Sequence, residues 1–173
     1  GAECTWGYRT LLVELINAAY KPFCVISDGG TGISSALKAS GITRHQRCHV
    51  HLLRDLRTGL RMYKGTRRCS RKWFIFQYAK LLLHARTHAE LQRRAQQFER
   101  TIYLMHQPHG DGEENTVRGF VQTLPLAFTF LAYLDFHIPT TTNQLEGYIS
   151  HLNARLKTMR GLKSPLNTNR VLN

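Results

Sequence analysis

The chain has 173 residues, the length of one domain and enough for a proper core. With 42% hydrophobic and 20% charged residues it is too apolar to be a disordered tail, and 24 Lys and Arg against 11 Asp and Glu give it a formal charge of +13. That balance selects a polyanionic partner, nucleic acid first, because an anionic membrane surface would need a basic amphipathic helix with its apolar face left free.

In chain order, Gly1 to Tyr20 reads as a short lead into a helix with Trp6, Leu11, Leu12, Leu15 and Ile16 on its apolar side. The chain starts on the doorstep of that helix, so upstream sequence is expected. No signal peptide is read and no uninterrupted apolar stretch reaches membrane-spanning length, so a soluble, cytoplasmic protein is expected. Phe23 to Ser27 is a compact apolar run after Pro22 and predicts a buried strand ending in Asp28-Gly29-Gly30. A helix through Ile33, Ala36 and Leu37 follows and stops near Gly41. The unit is therefore strand, acid, glycine turn, helix. Acids at the C-terminal ends of strands in open α/β sheets sit where ligands bind, although Asp-Gly-Gly also makes ordinary turns.

Ile42 to Val50 predicts a short strand turning into a helix. Its Cys48-x-x-His51 pair is half of a zinc site without a second half at suitable spacing, which makes packing or positioning the better reading. The four cysteines are scattered without a Cys-x-x-Cys pair, as expected for reduced thiols. From His51 a helical run through Leu52, Leu53, Leu56 and Leu60 carries Arg54, Arg57 and Arg61 on its polar side, and Lys64, Arg67, Arg68, Arg71 and Lys72 follow. Eight basic residues with one acid, Asp55, exceed what solubility requires, and the adjoining Trp73 and Phe74 add rings that can stack on bases. The plain alternative is a solvated helix face.

Phe74 to Leu83 predicts a buried helix, and Ala89 to His106 a second one rich in Gln, Arg and Glu. His109 to Asn115 predicts a polar loop. Val117 to Leu134 is helical again, kinked or divided by Pro125. The last predicted element follows Pro139 and three threonines. Its apolar residues Leu145, Tyr148, Ile149, Leu152, Leu156 and Met159 recur at helical steps, while Asn143, Glu146, Ser150, Asn153, Lys157 and Arg160 share the other face. Glu146 is the only carboxylate on that face. With acids so scarce, Asp28 and Glu146 are the two placed where a divalent cation can be held, and oxygen ligands suit Mg²⁺ or Mn²⁺. A basic chain with a carboxylate-held metal points to phosphodiester chemistry.

Val25 to Gly30, His45 to His51, Thr141 to Gly147 and Arg155 to Leu162 together resemble the successive motifs of bacterial insertion-sequence transposases of the Mutator-like DDE group. The resemblance implies an α/β fold: a ribonuclease-H-like core, truncated at its N-terminus, with a large all-helical insertion. Residues 1–50 would be the partial core, 51–135 the insertion, and 136–173 the returning catalytic helix and tail. It also implies that Asp28 and Glu146 are catalytic and metal-binding through Mg²⁺ or Mn²⁺, with Cys48, His51 and Asn143 supporting them. The first of the family's three acids would lie upstream of this chain.

DNA is the expected partner, bound by Arg54, Arg57, Arg61, Arg67, Arg68 and Arg71, with Lys157 and Arg160 nearer the scissile phosphate. A homo-oligomer is expected at full length, in the bacterial cytoplasm with the nucleoid, without a membrane or small-molecule substrate. The function implied is DNA transposition by metal-dependent phosphodiester hydrolysis and strand transfer. A non-catalytic nucleic-acid-binding remnant of a transposase is the alternative.

Overall fold

The computed structural model describes residues 5–63, 65–68, 70–104 and 111–158. The chain divides into two compact units, one through Thr141 and one from Thr142 onward. The first unit opens with α1 (Thr5–Asn17), then β1 (Val25–Ser27), α2 (Thr31–Ala39), β2 (His45–Arg47) and α3 (His49–Gly59). It continues with α4 (Arg71–Leu83), α5 (His88–Leu104), α6 (Asp111–Ala127) and a 3₁₀ segment (Thr129–Phe136). The second unit holds α7 (Asn143–Thr158).

This is a mostly helical protein, and the expectation of a ribonuclease-H-like α/β core is overturned. Among the described residues the sheet is two parallel strands of three residues each, pairing Val25 with His45, Ile26 with Gln46 and Ser27 with Arg47. Three paired positions cannot supply the broad apolar faces on which a layered α/β core closes. The burial lies between helices instead. Leu52, Leu56 and Leu60 from α3 and its C-terminal end meet Ile75, Ala79, Leu82 and Leu83 of α4, Phe98 of α5, and Val117 and Phe120 of α6. A smaller cluster of Leu12, Ile33, Ala36 and Leu37 joins α1 to α2 and covers Val25 of β1.

Local deviations from the sequence pattern have local causes. The apolar side expected on α1 is only partly covered: Leu12 is buried and Leu15 and Ile16 are half-buried, but Trp6 and Leu11 face solvent. The strand after Pro22 is shorter than expected and only half-buried. The polar loop expected over His109 to Asn115 is helix from Asp111 on, while His109 and Gly110 lie outside the described residues. Acids in the first turn suit the positive end of a helix dipole, and Glu113 also takes an ion pair from Lys72 at 2.8 Å. From Gly112 to Phe136 the chain is long and apolar enough in composition to cross a membrane. Phe120, Ala127, Phe130 and Leu131 of that run are buried in the helical core, and α6 gives way to the 3₁₀ segment after Ala127.

Pro125 stands in the last turn of α6 and supplies no N–H to the helical ladder, and the α-helix ends at Ala127. The break exposes backbone groups inside the core, and β2 satisfies them. Gln46, fully buried, donates from Nε2 to the Ala127 carbonyl at 2.7 Å and accepts the Phe130 N–H on Oε1 at 3.0 Å. His49 Nε2 donates to the same Ala127 carbonyl at 2.7 Å, and the Thr129 hydroxyl donates to the His45 carbonyl at 2.7 Å. Replacing Gln46 with Leu leaves the Phe130 N–H unpaired in the core and is expected to cost about 1–3 kcal/mol. Tyr103→Ala, at an exposed site, should stay within about 0.5 kcal/mol of the parent. Urea unfolding of the two variants checks both, and a Gln46→Leu protein as stable as the parent refutes the clamp.

Candidate functional site

At the C-terminal end of β1 the backbone turns through Asp28, Gly29 and Gly30 into α2. Asp28 Oδ1 accepts the Gly30 N–H at 3.1 Å, and Ser27 Oγ accepts the Gly29 N–H at 3.1 Å. Ser27 Oγ is also hydrogen-bonded to His45 Nε2 across the strand pair at 2.8 Å. Gly29 adopts φ +75°, a left-handed conformation that favours glycine. A methyl group there would stand 1.7 Å from Arg47 Nη1, so the guanidinium of Arg47 lies directly against this turn. Arg47 is buried, and its Nη2 donates to Asp55 Oδ2 on α3 at 2.6 Å.

The strand end thus gathers one acid, one histidine and one arginine. Burial, aided by the positive charge of Arg47, pushes the His45 pKa down, and Asp28 opposes that shift. His49, buried one turn into the helical core, is also pushed down by burial, against its hydrogen bond to the Ala127 carbonyl.

The Cys48-x-x-His51 element is a local device. Cys48 occupies the N-cap position of α3 in extended conformation, is fully buried, and has its Sγ hydrogen-bonded with His51 Nδ1 at 3.3 Å. Its backbone N–H donates to the Ser27 carbonyl at 2.8 Å, and the next N–H, of His49, to the Thr140 carbonyl at 2.9 Å. The element therefore fastens α3 to β1 and to the segment before α7. Among the described residues no group of three or more His, Cys, Asp and Glu side chains gathers in a metal-binding arrangement.

Asp28 belongs to the first unit and Glu146 to the second. Asn143 is the first residue of α7. Within that unit the Glu146 N–H donates to the Thr142 carbonyl at 3.0 Å, and the Thr142 hydroxyl donates to Glu146 Oε1. Lys157 lies on α7 with its side chain outside the described residues, as is the whole of Arg160. Leu145 and Tyr148, expected on a buried face, are exposed.

The basic residues separate into two groups. Arg54 and Arg57 are exposed on α3, and Arg67 and Arg68 are exposed after it. Arg61 is exposed too, but it lies past the end of α3 in a left-handed conformation, not on the helix where periodicity placed it. None of the five pairs with an acid among the described residues. Arg71 differs: half-buried, it sits 3.4 Å from Glu113, on the carboxylate that Lys72 also uses. Sequence reasoning passed over Arg47, Gln46 and His45 as individuals, since nothing in their spacing distinguishes a buried arginine from its exposed neighbours. No protein-family model, curated protein or solved structure matches this chain.

Lowered histidine pKa values set the pH response. Below about pH 6.5 the unfolded chain takes up protons at His45 and His49 that the folded chain resists, so stability is present above that pH and is lost as pH falls. Each histidine contributes a slope of at most about 1.4 kcal/mol per pH unit. Urea midpoints between pH 7.5 and 5 should decline, and His49→Gln should shallow the decline. Midpoints independent of pH in the parent refute this assignment.

Proposed function

We propose that the chain is the catalytic-region part of a DNA transposase, and that its own contribution is to hold the DNA backbone on the arginine run from Arg54 to Arg68. One observation carries the reading. Acids are scarce, and Asp55 and Glu113 are turned to inner cations, Asp55 to Arg47 and Glu113 to Arg71 and Lys72. The outer arginines keep their charge uncompensated, which solubility alone does not require and a phosphate backbone does use. The motif series around Asp28, Cys48, His51 and Glu146 supports the same reading, with phosphodiester hydrolysis and strand transfer as the reaction class.

Mg²⁺ or Mn²⁺ is the metal that this class implies. Among the described residues Asp28 stands without a second carboxylate in its turn, and Glu146 belongs to the second unit. Two-metal displacement needs several shared carboxylate oxygens. This donor set favours, as a second reading, a chain that binds nucleic acid without cutting it.

Binding and cutting should come apart in the isolated chain. Fluorescence anisotropy with DNA of arbitrary sequence should show affinity falling steeply with salt, by a log–log slope of about −0.9 for each phosphate engaged. Replacing Arg54, Arg57 and Arg61 with Ala should shallow that slope by about 2–3. A flat salt dependence refutes the interface. With Mg²⁺ or Mn²⁺ the chain alone should leave the strands intact, and cleavage that disappears in Asp28→Asn would show that a complete site exists within it.

A further inference from the structure

The strand pair has a second end, away from the Asp28 turn, and a cavity of about 290 Å³ lies there. Ile16 of α1 and the two segments that lead into β1 and β2 line it. Ile16, Pro22, Phe23 and Ile42, each half-buried, make its apolar wall, and Lys21 and Arg44 bring two exposed cations. No acid is among the lining residues. The two helices that end beside it do not require these cations as caps. The N–H groups of Ala18, Ala19 and Tyr20 meet the last carbonyls of α1, and those of Ser40, Gly41 and Ile42 meet the last carbonyls of α2.

Arg44 is held in place by rings. Its guanidinium carbon lies over Phe23, a wall residue, at 4.5 Å from the ring centre, and 5.3 Å from the ring centre of Tyr133. Phe23 in turn stacks on Phe136 at 3.7 Å and meets Tyr133 edge-on at 5.3 Å. A cation–π contact engages the face of a guanidinium and leaves the N–H donors in its plane to other partners. Among the described residues neither Arg44 nor Lys21 has a side-chain hydrogen bond or an ion pair. The fork is thus ordered before any ligand arrives, with its donors unspent, and such preorganisation lowers the entropy lost on binding.

Two cations beside an apolar wall select a ligand with both characters. Inorganic phosphate would meet the charges and leave the wall uncovered, while a neutral apolar molecule would cover the wall and leave the donors unmet. A nucleobase finds no open face on Phe23, which Phe136 and Arg44 already cover. A carboxylate matches the planar fork of a guanidinium in two parallel hydrogen bonds, and a ring or branched chain behind it covers the wall. The volume stands at the small end of the range for ligand pockets. We propose that this cavity binds a small carboxylic acid with an aromatic or branched body, its carboxylate on Arg44 and Lys21 as the second charge. The site stands apart from the arginine run and does not depend on it.

Calorimetric titration of the full 173-residue chain with sodium phenylacetate at constant ionic strength should show saturable binding at one site. Phenylacetamide has the ring without the charge and acetate the charge without the ring, and each should bind at least about tenfold more weakly. Arg44→Gln should weaken phenylacetate about tenfold. Thr43, exposed on the cavity wall, provides a variant that keeps both cations: Thr43→Trp should occupy the space and weaken binding as far, with circular dichroism confirming that both proteins stay folded. Arg54→Ala with Arg57→Ala should leave it unchanged. Absence of saturable binding overturns the proposal, as does binding that survives both Arg44→Gln and Thr43→Trp or that acetate or phenylacetamide matches. A single-stranded oligonucleotide that displaces phenylacetate, and itself loses affinity in Arg44→Gln, assigns the surface to nucleic acid and overturns it too.

Discussion

The buried amide of Gln46 is the contact on which the rest of the first unit depends. A helix that ends inside a core leaves carbonyl and N–H groups with no water to meet them. Gln46 meets both an acceptor and a donor at the junction of α6 with the 3₁₀ segment, from a strand only three residues long. Through that contact the small β1–β2 pair is tied to the helical core.

With β2 held, the chemistry at its end follows. Parallel pairing in register sets Ser27 opposite Arg47 and brings His45 onto the Ser27 hydroxyl. Gly29 lets the next turn pass under the guanidinium, which a side chain would block. Arg47 then reaches Asp55 across the start of α3, and Cys48 anchors that helix to the Ser27 carbonyl. Acid turn, buried arginine and the start of the basic helix are consequently joined by direct contacts.

Charge in this protein is sorted by depth. Acids are few, and those near α3 and α4 face buried or half-buried cations, where unpaired charge would be most costly. The outer arginines are left to solvent or to a polyanion. This sorting arises from pairing between residues as distant in sequence as Arg71 and Glu113.

Much was legible in the sequence. Helical periodicity located α2, α3, α4, α5 and α7 to within a few residues, because a 3.6-residue apolar repeat is a local property of the chain. The strand ending in Asp28, its glycine turn, and the short strand leading into α3 were legible for the same reason. Fold class was not. A motif series suggested an α/β core, yet only six described residues pair as strand, since pairing is decided by tertiary partners and the helices pack mainly on one another. Periodicity also placed Leu145 and Tyr148 on a buried face, but it can say only that a face is apolar, not that something covers it. The roles of Gln46, Arg47 and His45 lay furthest from view. Each is a polar residue made special by burial, and burial belongs to the packed chain, not to the string of residues.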